Sequence, residues 1–287
     1  MPRSFCLFGS GVEVGSLVGS SYPASRHRER PRVPEGVVPT PSECMVIANS
    51  NREFPRSVKS VFITYDNGAW SPPTTLTGTL YYGIYCWATT DCTAVGLTPP
   101  PPPTVSSPHE NGLPAIAKYD GRTWTPEPQI PGTNEQTGGL SEVTCVRPDF
   151  CIATDESGDV IETMDARVKI AQPFPGDTDE IEVSCANPSL CVAFNGGGGF
   201  EISVFDGSGW KVESIDPTQL TAIGCSTDRC YAGDTTGDVY WTSGGSWSKP
   251  TKIGSSGIAS IGWSGSSFCM AATNEGDYMT MSIPEPD

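Results

Sequence analysis

The chain of 287 residues carries 33 acidic and 17 basic side chains, so its formal net charge is −16. This acidic balance argues against a nucleic-acid-binding protein, and we expect no nucleic-acid partner. The 32 glycines and 27 prolines disfavour long helices, and no segment is apolar enough to span a membrane, so we expect no membrane insertion.

Seven cysteines recur along the chain, each at the start of a short apolar stretch. Their spacings are 38, 48, 59, 40, 39 and 39 residues. A period of this length is typical of stacked or radial modules. The seven positions are Cys6, Cys44, Cys92, Cys151, Cys191, Cys230 and Cys269.

The unit at residues 219–253 shows the content of one repeat most clearly. It divides into short β-prone segments separated by Gly-rich and Asp-rich turns, a pattern typical of antiparallel strands. We predict four strands, at 220–224, 231–233, 239–242 and 246–251. Four strands in each repeat predict an all-β fold: a single β-propeller domain over residues 1–287, with six or seven four-stranded antiparallel blades of about 40 residues.

An aromatic residue before a turn and a tryptophan after it recur in four units. The two side chains can meet across a hairpin and stabilise it. The four segments end at Trp70, Trp124, Trp210 and Trp247. We therefore predict that these tryptophans pack within the blades and do not form a sugar-stacking site.

With these motifs the chain resembles bacterial (actinobacterial-type) secreted β-propeller repeat proteins, which have paired-Cys blades and Tyr-Asp-Gly-x-x-Trp hairpins. The matching residues are Val183-Ser184-Cys185 with Leu190-Cys191-Val192-Ala193, Val143-Thr144-Cys145 with Phe150-Cys151-Ile152-Ala153, and Phe268-Cys269-Met270-Ala271. The resemblance implies the fold and implies little about activity, because propellers host many functions.

Eight cysteines form four close pairs at the turn between the first and second strands. Strands paired there bring two Cβ atoms close enough to bridge, so we predict four local disulfides. The pairs are Cys86 with Cys92, Cys145 with Cys151, Cys185 with Cys191, and Cys225 with Cys230. Disulfides of this kind indicate an oxidising compartment, so we expect an extracellular or cell-surface protein. Because the N-terminal segment has a poor signal-peptide core, we expect the export signal to lie upstream.

The sequence is compatible with two ways of closing the propeller ring. Residues 4–8 either supply the outer strand of the last unit, which gives six blades, or form the second strand of their own blade, which gives seven. Cys6, Cys44 and Cys269 lack near partners, and the odd total of 11 cysteines leaves at least one free thiol.

Three insertions, at 9–32, 50–59 and 97–114, follow the second strands of successive units. In a propeller such turns lie on one face, and loops on a rigid scaffold are where binding sites are usually built. Residues 1–60 hold 8 basic and 5 acidic side chains, so this region is positive within an acidic chain. We predict ligand binding by Arg26, Arg28, Arg30, Arg32, Arg52, Arg56, His109 and Glu110.

Acidic turns at 155–159, 234–238 and 274–277 belong to the same predicted face. They could offer oxygen ligands to calcium, but turn geometry already favours Asp and Asn at these positions. We therefore predict no cofactor. The scarcity of histidine and the lack of Cys-x-x-Cys spacing argue against zinc, and we predict no metal site.

The function that we favour from sequence is an extracellular, non-catalytic recognition propeller for a protein or glycan ligand, acting as a monomer. One alternative is a propeller-type glycoside hydrolase or lyase with a carboxylate pair at the central shaft. Another is a sensor or display domain of a larger exported protein. Only two histidines occur, neither in a predicted strand, so we assign no catalytic residue.

Overall fold

The computed structural model describes residues 43–53, 57–66, 69–88, 90–99, 112–133, 138–155, 157–164, 167–175, 181–195, 200–215, 219–226, 228–264, 268–273, 275 and 278–282. Within these ranges every helix or strand is a β-strand, and the strands form six antiparallel sheets. None of the described residues belongs to a helix with the length and apolarity needed to cross a bilayer.

Each sheet is built from one continuous part of the chain and is numbered here as a blade. Blade 1 contains β1 to β4, at Glu43–Glu53, Ser57–Asp66, Ala69–Trp70 and Thr74–Thr77. Blade 2 contains β5 to β8, at Leu80–Ala88, Asp91–Thr98, Leu113–Tyr119 and Trp124–Pro126. Blade 3 contains β9 to β12, at Leu140–Arg147, Phe150–Asp155, Val160–Met164 and Arg167–Ala171.

The remaining three blades follow the same order. Blade 4 contains β13 to β16, at Ile181–Asn187, Leu190–Asn195, Glu201–Phe205 and Trp210–Ser214. Blade 5 contains β17 to β20, at Leu220–Cys225, Cys230–Asp234, Asp238–Thr242 and Thr251–Lys252. Blade 6 contains β21 to β23, at Ile258–Ser264, Phe268–Thr273 and Tyr278–Ser282.

The sheets repeat as the blades of a β-propeller, as the cysteine period predicts. In blades 2 to 5 the four strands pair in sequence order, and the first strands of successive blades contact each other. In blade 1, β3 and β4 both pair with β2 and together form the outer strand. Residues 4–8 lie outside the described part of the chain, so six or seven blades stays a prediction.

The hydrophobic core lies between neighbouring blades. The second strands are mainly apolar because a blade packs on each of their faces: every residue of β10 and of β14 is buried. One core cluster joins Phe150 and Ile152 of blade 3 to Ile181, Val183 and Phe205 of blade 4. Each blade thus buries its apolar faces against its sequence neighbours, as in other repeat proteins.

Three of the four predicted aromatic hairpin pairs are present. In each pair the two residues are opposite in register and their rings are in contact. The ring centroids are 5.1 Å apart for Tyr65 with Trp70, 5.2 Å for Tyr119 with Trp124 and 5.4 Å for Phe205 with Trp210.

The prediction of a fourth strand at residues 246–251 in blade 5 is mostly wrong. The third strand ends at Thr242, and β20 comprises only Thr251 and Lys252. A broad turn intervenes, in which the Gly244 N–H donates to Thr242 Oγ1. Trp247 therefore lies outside the strands and packs against the core between blades 4 and 5.

The structure contains the four disulfides that the cysteine pairs predict. Each joins the end of a first strand to the start of a second strand in blades 2 to 5: Cys86–Cys92, Cys145–Cys151, Cys185–Cys191 and Cys225–Cys230. Seven of the eight side chains are buried, and only Cys225 is partly exposed. The bonds hold the turns at the end of the blades opposite the predicted insertions.

Candidate recognition face

The turns after the second strands and the connections between blades lie at one end of the strands, here called the loop face. Of the predicted ligand-binding residues, Arg26, Arg28, Arg30, Arg32, Arg56, His109 and Glu110 lie outside the described residues. Arg52 lies on β1, where the structure describes its backbone. The described part of the loop face therefore consists of the bases of the second and third insertions and the turns of blades 3 to 6.

Blade 1 carries an unusually long hairpin on this face. Strand β1 has 11 residues and β2 has 10, whereas the corresponding strands of blade 3 have 6 and 5. Pairing continues past Ser50 and Lys59 to Glu53 and Ser57. Residues 49–53 and 57–61 thus extend beyond the strand ends of blade 3 by about 16 Å, at about 3.3 Å per residue, whereas the strands of blade 2 reach the position equivalent to Ser50 and Lys59. We call this extension the blade 1 hairpin.

Two polar side chains fix the base of the blade 1 hairpin to blade 2. Asn49 and Ser60 are opposite each other in register, and the Ser60 hydroxyl donates to Asn49 Oδ1. The Asn49 amide donates to the Tyr81 carbonyl at 2.8 Å, while the Tyr81 N–H donates to Ser60 Oγ at 2.8 Å. The backbone N–H and the backbone carbonyl of Tyr81 are therefore both bonded to the hairpin.

An aromatic contact supports the same junction. Phe62 of β2 is buried and stacks on Trp124 of blade 2, with ring centroids 4.2 Å apart. Its ring is also 5.7 Å from that of Tyr81. Packing and hydrogen bonds thus both hold the base of the hairpin against blade 2.

The third insertion leaves blade 2 beside this hairpin. Its ends, Thr98 and Leu113, are opposite each other in register. The Thr98 and Thr79 hydroxyls are 3.2 Å apart, and the Thr79 carbonyl accepts a hydrogen bond from Ser60 at 3.3 Å. Thr79 therefore lies between the base of the blade 1 hairpin and the base of the third insertion.

The blade 1 hairpin has a basic sequence in an acidic protein. Residues 50–59 contain Arg52, Arg56 and Lys59 against the single acid Glu53. Lys59 is exposed on β2. A basic projection on a chain of net charge −16 favours an acidic ligand at this place.

The acidic turns of blades 3 and 5 have a structural role. Asp155 and Asp234 are fully buried at the ends of their second strands. Each accepts backbone N–H groups from its own turn, Asp155 from Ser157 and Asp234 from Thr236 at 2.9 and 2.8 Å. No group of three or more candidate metal ligands occurs among the described residues. Burial raises the pKa of Asp155 to about 6.

The first strands present carboxylates and hydroxyls to the next blade, which bears on the enzyme alternative. Glu142 Oε2 accepts the Val183 N–H at 2.9 Å, Ser184 Oγ accepts the Cys225 N–H at 3.0 Å, and Thr221 Oγ1 donates to the Ile258 carbonyl at 2.6 Å. These bonds satisfy backbone groups at strand edges. Glu142, an acid on a first strand, is thus engaged in holding two blades together.

Sequence reasoning missed Asn49 and Ser60 as functional residues. Both look like ordinary polar residues of an insertion, and their roles depend on pairing with each other and with Tyr81 of another blade. A signal for the hairpin was present, because alternating apolar residues continue through Val61, Ile63 and Tyr65 on one side of the insertion.

No protein-family model matches this sequence, and no curated protein matches it. Among solved structures, the chain is similar to "YCF48 bound to D1 peptide" at 14% identity and a TM-score of 0.54, covering 79% of this chain and 74% of that one. It is similar to "YCF48 from Cyanidioschyzon merolae" at 14% identity and a TM-score of 0.55, covering 84% and 78%. It is similar to "Structure of U3-55K" at 10% identity and a TM-score of 0.56, covering 79% and 77%. At these identities the likeness concerns the fold alone, and that fold is the β-propeller.

Proposed function

We propose that this protein is a non-catalytic recognition propeller that binds an acidic protein segment on its loop face. The observation that carries the proposal is the blade 1 hairpin, which extends beyond the strand ends of blade 3 and is fixed at its base by Asn49 and Ser60. Rigid projections lose little conformational entropy on binding, so they suit a recognition role.

Three further observations support this function. The hairpin has a basic sequence, and a second projection leaves blade 2 through Thr98 and Leu113 directly beside it. A propeller of similar fold is described as bound to a peptide. The four disulfides support action in an oxidising, extracellular setting.

The test measures binding of the oxidised protein to arrays of acidic, neutral and basic peptides and to an array of sulfated and neutral glycans. One variant carries Arg52→Ser, Arg56→Ser and Lys59→Ser on the hairpin. A second carries Arg26→Ser, Arg28→Ser, Arg30→Ser and Arg32→Ser. The matched control, with Arg122→Ser, Lys211→Ser and Lys249→Ser, removes three positive charges away from the loop face.

We expect acidic peptides to bind the wild type and the control, and the hairpin variant to lose at least about tenfold in affinity, because each lost contact to a charged group is worth about 1 kcal/mol. Equal binding by the hairpin variant and the control would contradict the proposal. Binding of glycans alone would replace the protein ligand by a glycan. An effect confined to the second variant would move the contact from the hairpin to the first insertion.

A further inference from the structure

Two turns of the loop face have the same internal geometry in different surroundings. In blade 3, Asp155 Oδ1 accepts the N–H of Asp159 at 2.8 Å. In blade 5, Asp234 Oδ1 accepts the N–H of Asp238 at 2.9 Å. Asp155 and Asp234 are both fully buried. Each turn therefore brings two carboxylates together within five residues.

In blade 5, other side chains compensate the two carboxylates. Lys252 Nζ lies 3.7 Å from Asp238 Oδ2. The Tyr240 hydroxyl donates to Asp234 Oδ2 at 3.4 Å. The Thr236 hydroxyl lies 2.9 Å from an oxygen of each aspartate. This turn therefore has a cation and a buried phenol that offset its negative charge.

Blade 3 has neither the cation nor the phenol. Tyr240 is opposite Ala232 in register, and the residue opposite the equivalent Ala153 is Ile161. Lys252 follows Thr251 at the end of the outer strand, and the residue that follows the equivalent Ala171 is the exposed neutral Gln172.

The blade 3 pair also has an unfilled hydrogen-bonding position. Asp159 Oδ1 is enclosed by protein and has no hydrogen-bond partner among the described residues. No donor therefore offsets, at this oxygen, the charge that Asp159 places beside Asp155.

Near Asp155, the described residues of β9 and of the segment that follows β12 contribute no basic side chain. Glu142 on β9, opposite Thr154 in register, is itself an acid, and its Oε2 accepts the Val183 N–H. The segment that follows β12, residues 172–175, contains a glutamine, two prolines and a phenylalanine. Described titratable groups around the turn are thus acidic.

We propose that the blade 3 turn is a proton-operated switch on the loop face: the buried Asp155, beside Asp159, takes up one proton from mildly acidic solution, and the turn loosens when that proton leaves. Burial, and less strongly the charge of Asp159, raises the pKa of Asp155 to about 6, against the hydrogen bonds from Ser157 and Asp159 that lower it. The pKa of Asp155 in the folded protein lies above the ordinary aspartate value of 3.8. Its contribution to folding stability is therefore complete below about pH 4 and is lost as the pH rises through 6. The switch needs no ligand, so it stands apart from the proposed recognition function.

The experiment follows the backbone amide resonances of Ser157 and Asp159 by NMR between pH 4 and 8, since both N–H groups bond to Asp155. Four proteins are compared: wild type, Asp155→Asn, Gln172→Lys and Gln219→Lys. Gln172→Lys supplies the cation that blade 5 has. Gln219→Lys, also an exposed glutamine on the loop face, controls for the change in net charge.

We expect a transition near pH 6 in the wild type and in Gln219→Lys, its loss in Asp155→Asn, and a midpoint lower by roughly half a unit or more in Gln172→Lys. No transition in the wild type, or its persistence in Asp155→Asn, would overturn the proposal. An unshifted midpoint in Gln172→Lys would show that the missing cation is not the reason why blade 3 differs from blade 5. If Asp155→Asn does not fold, the wild type and the two lysine variants still decide between these outcomes.

Discussion

The indole Nε1 of Trp210 in blade 4 donates a 2.9 Å hydrogen bond to Oε1 of Glu162 in blade 3, a carboxylate that is 3% exposed. Lys169 Nζ approaches the other oxygen of the same group at 3.4 Å. The buried Glu162 of blade 3 thus accepts a neutral donor from blade 4 and faces a charged donor from its own blade. Such an arrangement positions the blades and contributes to stability only while all its donors are matched.

Glu162→Ala should lower the free energy of unfolding by about 2 kcal/mol, because the indole N–H of the half-buried Trp210 loses its acceptor. Glu162→Gln keeps an acceptor for Trp210 and should cost about 1 kcal/mol. Urea unfolding measures both. The control is Glu213→Ala, which removes a surface pair with Lys211 and should change stability by less than about 0.5 kcal/mol. Equal losses in Glu162→Ala and the control would show that the inter-blade bond is not stabilising.

The base of the blade 1 hairpin can be tested separately. Ser60→Ala leaves the Tyr81 N–H without its bond in a buried place and should cost about 2 kcal/mol. Ser71→Ala removes an exposed hydroxyl that accepts the Thr64 N–H and should cost less than about 1 kcal/mol. Chemical unfolding gives the two values. A neutral Ser60→Ala would contradict the rigid attachment of the hairpin.

The four disulfides should differ in their rate of reduction under native conditions. Thiol–disulfide exchange requires access of the attacking thiolate to a sulfur atom. Cys225 is the one partly exposed cysteine among the eight, so Cys225–Cys230 should be reduced before the other three bonds. Timed reduction followed by alkylation and peptide mass spectrometry gives the order. Earlier loss of Cys145–Cys151, whose two cysteines are buried, would contradict this expectation.

The hairpin turns opposite the loop face should respond to acid. Hydrogen bonds from the Ser208 side chain and from the backbone of Ser208 and Gly209 hold the pKa of Asp206 below its usual value. Because the folded pKa is depressed, this stabilisation is present above the unfolded pKa and is lost as the pH falls through the folded value. Asp206→Asn should therefore lose less stability than the wild type between pH 5 and 2, as measured by thermal unfolding at each pH. An identical pH profile would contradict the assignment.

The sequence predicts the propeller because the second strands are buried on both faces, so that Phe150, Cys151, Ile152 and Ala153 form a continuous apolar run that recurs in each unit. Cysteines beside these runs predict the disulfides because strand pairing alone determines their approach. The outer strands are predicted poorly, and β20 is the example. Little of an outer strand is buried, so its extent depends on local turn bonds that the pattern does not contain.

The site is predicted less well than the fold because its features depend on contacts between blades. Asn49 and Ser60 hold the hairpin to blade 2 only because both bond to the backbone of Tyr81. The turns of blades 3 and 5 look alike in sequence, and they differ because Ile161 and Gln172 lie where Tyr240 and Lys252 lie. Neither relation can be derived before the register of two strands is known.

Site-specific photo-crosslinking tests the recognition face most directly. A photoreactive residue is placed at Arg56, which lies in the sequence between the two strands of the blade 1 hairpin, and in a second protein at Arg122, in a hairpin turn on the opposite face. Both proteins are irradiated with the acidic peptide that binds best in the array, and the crosslinked residues are identified by mass spectrometry. The account predicts peptide attached at position 56 and none at position 122. Attachment at position 122 with none at position 56 would contradict it.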